Sequence, residues 1–324
     1  MPSPVPPTRL LPPGLGPSVG LGPCSSPLGK YAGARTLPVP APAFPWSSVI
    51  HWAELRCLEP LGSGGFGSVY KGEYFGRTVA VKKVRKHANT RLACRRSFWA
   101  ELNAARLSHA NLVRVLAASA GAPGDGDHVG TVLMEFAGAA DLQRVIYGSA
   151  EPLPPARCVK YSTHIARGLR YLHAHRVAHL DLKPANVLVS DADVCKLGDF
   201  GCSLRLDGAA ELTPLRGQCG GTYTHRAPEL LRGGAVTLRA DVYSFAITLW
   251  QLLTRETPYA GGERQHVLYA VVAYGARPCV RGERFARTAL GRGCARLLGR
   301  CWSAEPERRP SAGEIEAELG SVGD

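Results

Sequence analysis

Asp181, Lys183 and Asn186 stand in one short run, Ala178-His179-Leu180-Asp181-Leu182-Lys183-Pro184-Ala185-Asn186, and Asp199 follows in Asp199-Phe200-Gly201. Between them come an apolar alternation, Val187-Leu188-Val189, a polar tip, Ser190-Asp191-Ala192-Asp193, and a second run, Val194-Cys195-Lys196-Leu197. Short strand, turn and short strand is the element that this pattern predicts. Such a hairpin would fix Asp181, Asn186 and Asp199 at one end of a rigid element. Three oxygen acceptors with no built-in cation partner suit a divalent metal and the acceptance of a hydroxyl proton, which are the needs of phosphoryl transfer. Taken singly, each reads as a solvated residue of a surface hairpin; the ordered set is what carries the chemistry.

A second group lies upstream. Leu61-Gly62-Ser63-Gly64-Gly65-Phe66-Gly67-Ser68-Val69 fits Gly-x-Gly-x-x-Gly-x-Val. Glycines here let backbone amides approach a triphosphate without Cβ interference, with Phe66 as a cover. The same spacing opens dinucleotide-binding folds, where the turn leads into a helix. Here Ser68-Val69-Tyr70-Lys71-Gly72 and Thr78-Val79-Ala80-Val81-Lys82 read as two strands, so the loop joins antiparallel strands instead. Lys82 ends the second of these, and a strand lysine facing inward needs an anion. Phe98, Leu102 and Ala105 mark one face of a helical stretch, with Glu101 at its edge.

The elements that must position these groups follow in order. Asn111 to Leu116 and Thr131 to Met134 read as strands of the same small sheet, and Met134-Glu135-Phe136-Ala137-Gly138 as a strand ending in a flexible joint. Beyond it, Cys158, Ile165, Leu169 and Leu172 make a helical apolar stripe leading into the Asp181 run. A strongly apolar helix begins at Asp241-Val242-Tyr243-Ser244-Phe245 and runs to Leu253. The segment Met1 to about Pro45, crowded with Pro and Gly, is expected to be a disordered tail, because it cannot bury enough apolar surface to offset ordering entropy.

At 324 residues, 45% hydrophobic and 20% charged, the chain has the composition of a globular protein with a substantial core. No window is long and apolar enough for a membrane span, and the ten cysteines never form Cys-x-x-Cys. A reduced, cytoplasmic setting is expected. The net charge of +13 is spread over both halves without a nucleic-acid-reading module, so acidic protein partners and ATP are its expected beneficiaries, not nucleic acid.

Taken together these motifs resemble those of the eukaryotic protein kinases, in order from about Leu58 to Leu319. Gly221-Thr222-Tyr223-Thr224-His225-Arg226-Ala227-Pro228-Glu229 is similar to the end of an activation segment, and Cys301-Trp302 to Arg309-Pro310 to the family's closing motif. The resemblance implies an α+β, bilobal fold: a small antiparallel β-sheet lobe with one key helix at residues 46–135, and a larger, mainly helical lobe at 136–324. It implies ATP and Mg²⁺, with residues Leu61 to Val69 over the phosphates, Lys82 paired to Glu101, and backbone groups of Glu135 and Ala137 on the adenine. Asp181 would accept the substrate hydroxyl proton, Lys183 would sit by the γ-phosphate, and Asn186 and Asp199 would hold the metal. Arg309 would pair with Glu229, and Thr222 would steady Asp181 and Lys183.

Lys183, two residues after Asp181, is the serine/threonine form of the loop, as against a tyrosine kinase. A pseudokinase scaffold would usually lack one of Lys82, Asp181, Asn186 or Asp199, and all four are present. Within the family the likeness is to serine/threonine kinases acting as MAP kinase kinase kinases in oocyte meiotic maturation. It implies a protein substrate, a MAP kinase kinase; the sequence leaves oligomeric state open, with a monomer expected. One departure stands out: Leu180 occupies a position where most kinases carry Arg. An uncharged residue there needs no activation-segment phosphate to neutralise it, so activity without such phosphorylation is expected.

Overall fold

Alternation along the third strand organises the small sheet. A computed structural model of the chain describes residues 46–64, 67–85, 91–120, 128–206 and 222–323. The Pro/Gly-rich segment 1–45, Gly65, Phe66 and the loop 121–127 lie outside the described residues. Strands β1 (Leu55–Gly64), β2 (Gly67–Tyr74), β3 (Arg77–Arg85), β4 (Val115–Ser119) and β5 (His128–Glu135) form an antiparallel sheet in the order β1-β2-β3-β5-β4. On β3, Val79 and Val81 pack on one face with Ile50, Tyr74 and Leu133, while Ala80 and Val84 join the main core on the other. A period of two therefore puts Lys82 on the main-core face. Helix α1 (Arg91–Glu101) covers that face through Cys94 and Phe98, both buried.

Two readings are corrected in detail. The helical stretch expected to carry Phe98, Leu102 and Ala105 ends at Glu101 and tightens into a 3₁₀ turn, Leu102–Ala104. The strand expected at Asn111 to Leu116 begins only at Val115. Its earlier residues sit against another element: the Val113 N–H donates to Leu197 O at 2.8 Å, and the Leu197 N–H to Asn111 O at 2.9 Å.

The helical portion is built around a helix that is buried almost all round. The chain leaves the sheet through β6 (Ala140–Asp141), α2 (Leu142–Tyr147) and α3 (Pro155–Ala174), then β7 (Val177–Ala178), β8 (Val187–Val189), β9 (Cys195–Leu197) and β10 (Leu204–Arg205). Proline at the start of α3 suits a helix N-terminus, and the Asp141 carboxylate caps α2 by accepting from the Arg144 N–H at 2.7 Å. Strands β8 and β9 pair antiparallel, as the Val187–Leu197 pattern predicts. Next come α4 (Pro228–Leu231), α5 (Arg239–Thr254), α6 (Arg264–Ala273), α7 (Glu283–Ala286), α8 (Ala289–Cys301) and α9 (Ala312–Gly323). Nearly every residue of α5 is buried, so it serves as the central post of the helical portion. The α3 stripe of Cys158, Ile165, Leu169 and Leu172 is buried. Arg309, 1% exposed, binds Glu229 through both terminal nitrogens at 2.7 and 2.6 Å, the pair the resemblance implies. Among the described residues no helix is long and apolar enough to cross a membrane.

Candidate active site

Each group of the site is held by an element whose formation was argued above. Lys82, 7% exposed on β3, donates to Glu101 Oε1 at the end of α1 and to Asp199 Oδ1 at 2.6 Å. Burial alone would lower the lysine pKa, but the Glu101 and Asp199 carboxylates raise it and hold the ammonium charged. For Glu101, fully buried, burial pushes the carboxyl up against the pull of Lys82. Asp199 is held below the usual carboxylate range: what burial it has would raise it, and the Lys82 ammonium outweighs that. Its side chain remains 44% exposed, which leaves it open to a ligand.

Asp199 adopts φ +57°, a left-handed conformation that Asp tolerates better than most residues. That turn lets Phe200 bury completely while Asp199 faces out. The Phe200 N–H donates to Glu101 Oε2 at 3.1 Å, so the segment after β9 and helix α1 are joined through the same carboxylate that binds Lys82.

Asp181 sits just before the hairpin and is 9% exposed. Its Oδ1 accepts from the Thr222 N–H at 2.9 Å, and its Oδ2 from Asn186 Nδ2 at 2.9 Å, with Lys183 Nζ at 3.1 Å. Lys183 Nζ also donates to Thr222 Oγ1 at 2.7 Å. Thr222 thus touches both Asp181 and Lys183. A carboxylate held by two N–H donors and an ion pair can still accept a hydrogen bond from a further hydroxyl, because an ionised carboxylate offers about four lone-pair sites.

Asn186 spends its amide nitrogen on Asp181 O and Oδ2, at 2.8 and 2.9 Å, which leaves Oδ1 as its free donor atom. A neutral carbonyl oxygen from Asn186 and an ionised carboxylate from Asp199 form a hard oxygen donor set. Such a pair fits Mg²⁺, which commonly takes one or two protein ligands and fills its octahedron with water and phosphate oxygens.

The glycine-rich stretch spans the β1–β2 turn. Leu61, Gly62, Ser63 and Gly64 are exposed on β1, Gly64 pairs with Gly67, and Ser63 with Ser68. A Cβ on Gly62 or Gly64 would meet nothing within 4 Å, whereas one on Gly67 would lie 2.1 Å from the Lys83 carbonyl oxygen. Gly67 is therefore required by the approach of β3 itself. Ser68 is buried and accepts from Arg85 at 2.6 Å, and Val69 is half-buried against the core. Glu135 ends β5 with its N–H already given to Arg114 O at 2.9 Å, so an adenine contact there falls to its carbonyl; Ala137 is buried beyond it.

Sequence reasoning assigned no role to Asp241. Its carboxylate, fully buried in the first turn of α5, accepts from the backbone N–H groups of His179 at 2.9 Å and Leu180 at 2.8 Å, and lies 2.9 Å from His173 Nε2. The one available signal was an acidic residue opening an otherwise apolar helix. His179 accepts from the Asp181 N–H at Nδ1 and contacts Gly198 O from Nε2 at 3.0 Å, which puts its proton on Nε2. It therefore ties the loop bearing Asp181 to the residue before Asp199.

The protein kinase domain family model matches residues 55–318. The serine/threonine-protein kinase mos of Xenopus laevis is 53% identical, covering 97% of this chain and 91% of that protein. Its namesake in Gallus gallus is 49% identical over 99% of each, and the proto-oncogene serine/threonine-protein kinase mos of Sus scrofa 48% identical over 99% of this chain and 100% of its own length. With a buried lysine bridged to two carboxylates, a fixed Asp181 and near-full-length similarity of this degree, the chain belongs to the protein kinase family, among the Mos serine/threonine kinases.

Proposed function

We propose that Asp181 orients and accepts the proton of a substrate serine or threonine hydroxyl while Lys82, held by Glu101, orients the ATP phosphates. The observation that carries this reading is that Lys82 meets both Glu101 and Asp199 while Asp181 is fixed by Thr222, Asn186 and Lys183. Residues Leu61 to Val69 cover the phosphates, and backbone groups at Glu135 and Ala137 hold the adenine. Asn186 and Asp199 hold Mg²⁺, which when bound neutralises charge on the phosphates. Lys183 lies beside the phosphate to be transferred and, through Thr222, keeps the activation segment against Asp181. Positioning and electrostatics supply most of the rate in this class of reaction.

The likeness to the Mos kinases further supports a cytoplasmic MAP kinase kinase kinase of oocyte meiotic maturation, whose protein substrate is a MAP kinase kinase. Phosphoamino-acid analysis tests this: the purified chain is given ATP labelled on its γ-phosphate and a catalytically dead MAP kinase kinase. Label on serine or threonine is expected. Label on a generic protein but none on the MAP kinase kinase would remove the substrate assignment, and label on tyrosine would remove the specificity.

A further inference from the structure

The last turn of α1 makes contacts that the Lys82–Glu101 pair does not itself require. Ala100 O, one of the carbonyls that a helix end leaves without an internal donor, accepts from Ser203 Oγ at 2.8 Å. Asn103, in the 3₁₀ turn that follows, donates from Nδ2 to both the carbonyl oxygen and Oγ of Ser203, each at 3.1 Å. The Ser203 N–H in turn donates to Phe200 O at 2.8 Å, and the Phe200 N–H to Glu101 Oε2. A closed circuit results, running from Ala100 and Asn103 through Ser203 and Phe200 back to Glu101. One helical turn earlier, Ser97 is 2% exposed and faces Gly201 so closely that a Cβ there would come within 2.5 Å of Ser97 Oγ.

We infer that Asn103 and Ser203 are positioning residues, a latch that docks α1 on the segment after Asp199 and keeps Glu101 on Lys82 without a phosphate. This rests on the reading that Lys82 and Glu101 orient the ATP phosphates. The latch consists of neutral donors and acceptors, so its closure does not wait on a modification. Ser203 is 5% exposed, and its hydroxyl is committed to Ala100. Phosphorylating it requires the latch to open, and the added charge beside Glu101 and Asp199 would keep it open.

Steady-state kinetics of the phosphatase-treated full-length chain test the latch. Asn103→Ala and Ser203→Ala should each lower kcat/KM for ATP by roughly tenfold, the size expected of lost buried hydrogen bonds, with KM for the protein substrate unchanged. The double variant should fall little below either single one, because the two act as a unit. In a Glu101→Gln background, Asn103→Ala should cost almost nothing more, measured under single-turnover conditions. If Asn103→Ala does not fold, Ser203→Ala, which removes one hydroxyl, carries the same comparison. Unchanged kcat/KM for ATP in the single variants, or an undiminished loss in the Glu101→Gln background, overturns the latch. Lys82→Met separates the two levels: its retention of transfer would overturn the phosphate reading beneath, whereas a dead Lys82→Met beside unaffected latch variants overturns the latch alone.

Discussion

Leu180 gives its backbone N–H to Asp241 Oδ1 at 2.8 Å while holding φ at +64°, a conformation that non-glycine residues rarely adopt. The neighbouring His179 N–H goes to the other oxygen of the same carboxylate. Asp241 therefore stabilises a strained turn immediately before Asp181, and it does so from a helix buried along nearly its whole length. Asp241→Asn replaces one acceptor oxygen by a donor facing an N–H. Stability should drop by about 2–4 kcal/mol, and kcat by roughly one to two orders of magnitude, in a chain that still folds. Urea unfolding alongside steady-state kinetics measures both.

The Leu180 side chain is uncharged and packs against the main core. No cation at that position awaits a phosphate. A phosphatase-treated preparation, with Ser203, Thr213, Thr222 and Thr224 verified unmodified by mass spectrometry, should transfer phosphate at the untreated rate. An inert preparation that recovers only when one of these residues is phosphorylated would contradict this. Thr213 lies outside the described residues, while Ser203 and Thr222 are engaged by Ala100, Asn103 and Lys183.

Arg309 shows how far the fold depends on one buried cation. Besides its two bonds to Glu229 it donates to Ser303 O at 2.9 Å and lies over the Tyr243 ring at 5.3 Å. Arg309→Ala leaves Glu229 without its partner and should cost about 3–5 kcal/mol in chemical unfolding. Arg309→Lys should recover little, because an ammonium cannot reproduce the planar two-nitrogen fork.

His225 should set part of the acid sensitivity. Burial lowers its pKa to about 4, against the Gln251 hydrogen bond that would raise it. A histidine with a depressed folded-state pKa stabilises the fold above its unfolded value, near 6.5, and that contribution disappears as pH falls toward about 4. Unfolding free energy should therefore decline over this window, and His225→Gln should flatten the decline. Parallel curves for the two proteins would exclude the residue as a contributor.

Much of the candidate site was legible because its residues recur at short spacings. Asp181, Lys183, Asn186 and Asp199 flank one hairpin, and strand alternation places Lys82 inward. Contacts that stabilise the site from far along the chain left no such trace. Asp241 meets backbone groups 61 and 62 positions away, and Asn103 meets Ser203 at a separation of 100; no periodicity encodes either. The misplaced strand has a definite cause. Leu112 and Val113 look like sheet residues, and the chain there does pair, but through one isolated parallel bridge from Leu112 to Leu197 of β9. Gly67 matched a phosphate-loop pattern, yet its own constraint is the Lys83 carbonyl.

The role of Asp181 is tested most directly by single-turnover transfer from ATP to a protein serine or threonine. Asp181→Asn keeps the shape of the side chain but replaces the ionised acceptor with a neutral amide. With a folded preparation whose unfolding midpoint stays close to that of the parent chain, the transfer rate should fall by roughly 10²–10⁴, the usual worth of a positioned base. Transfer near the parental rate would contradict the assignment of Asp181 as the group that receives the hydroxyl proton.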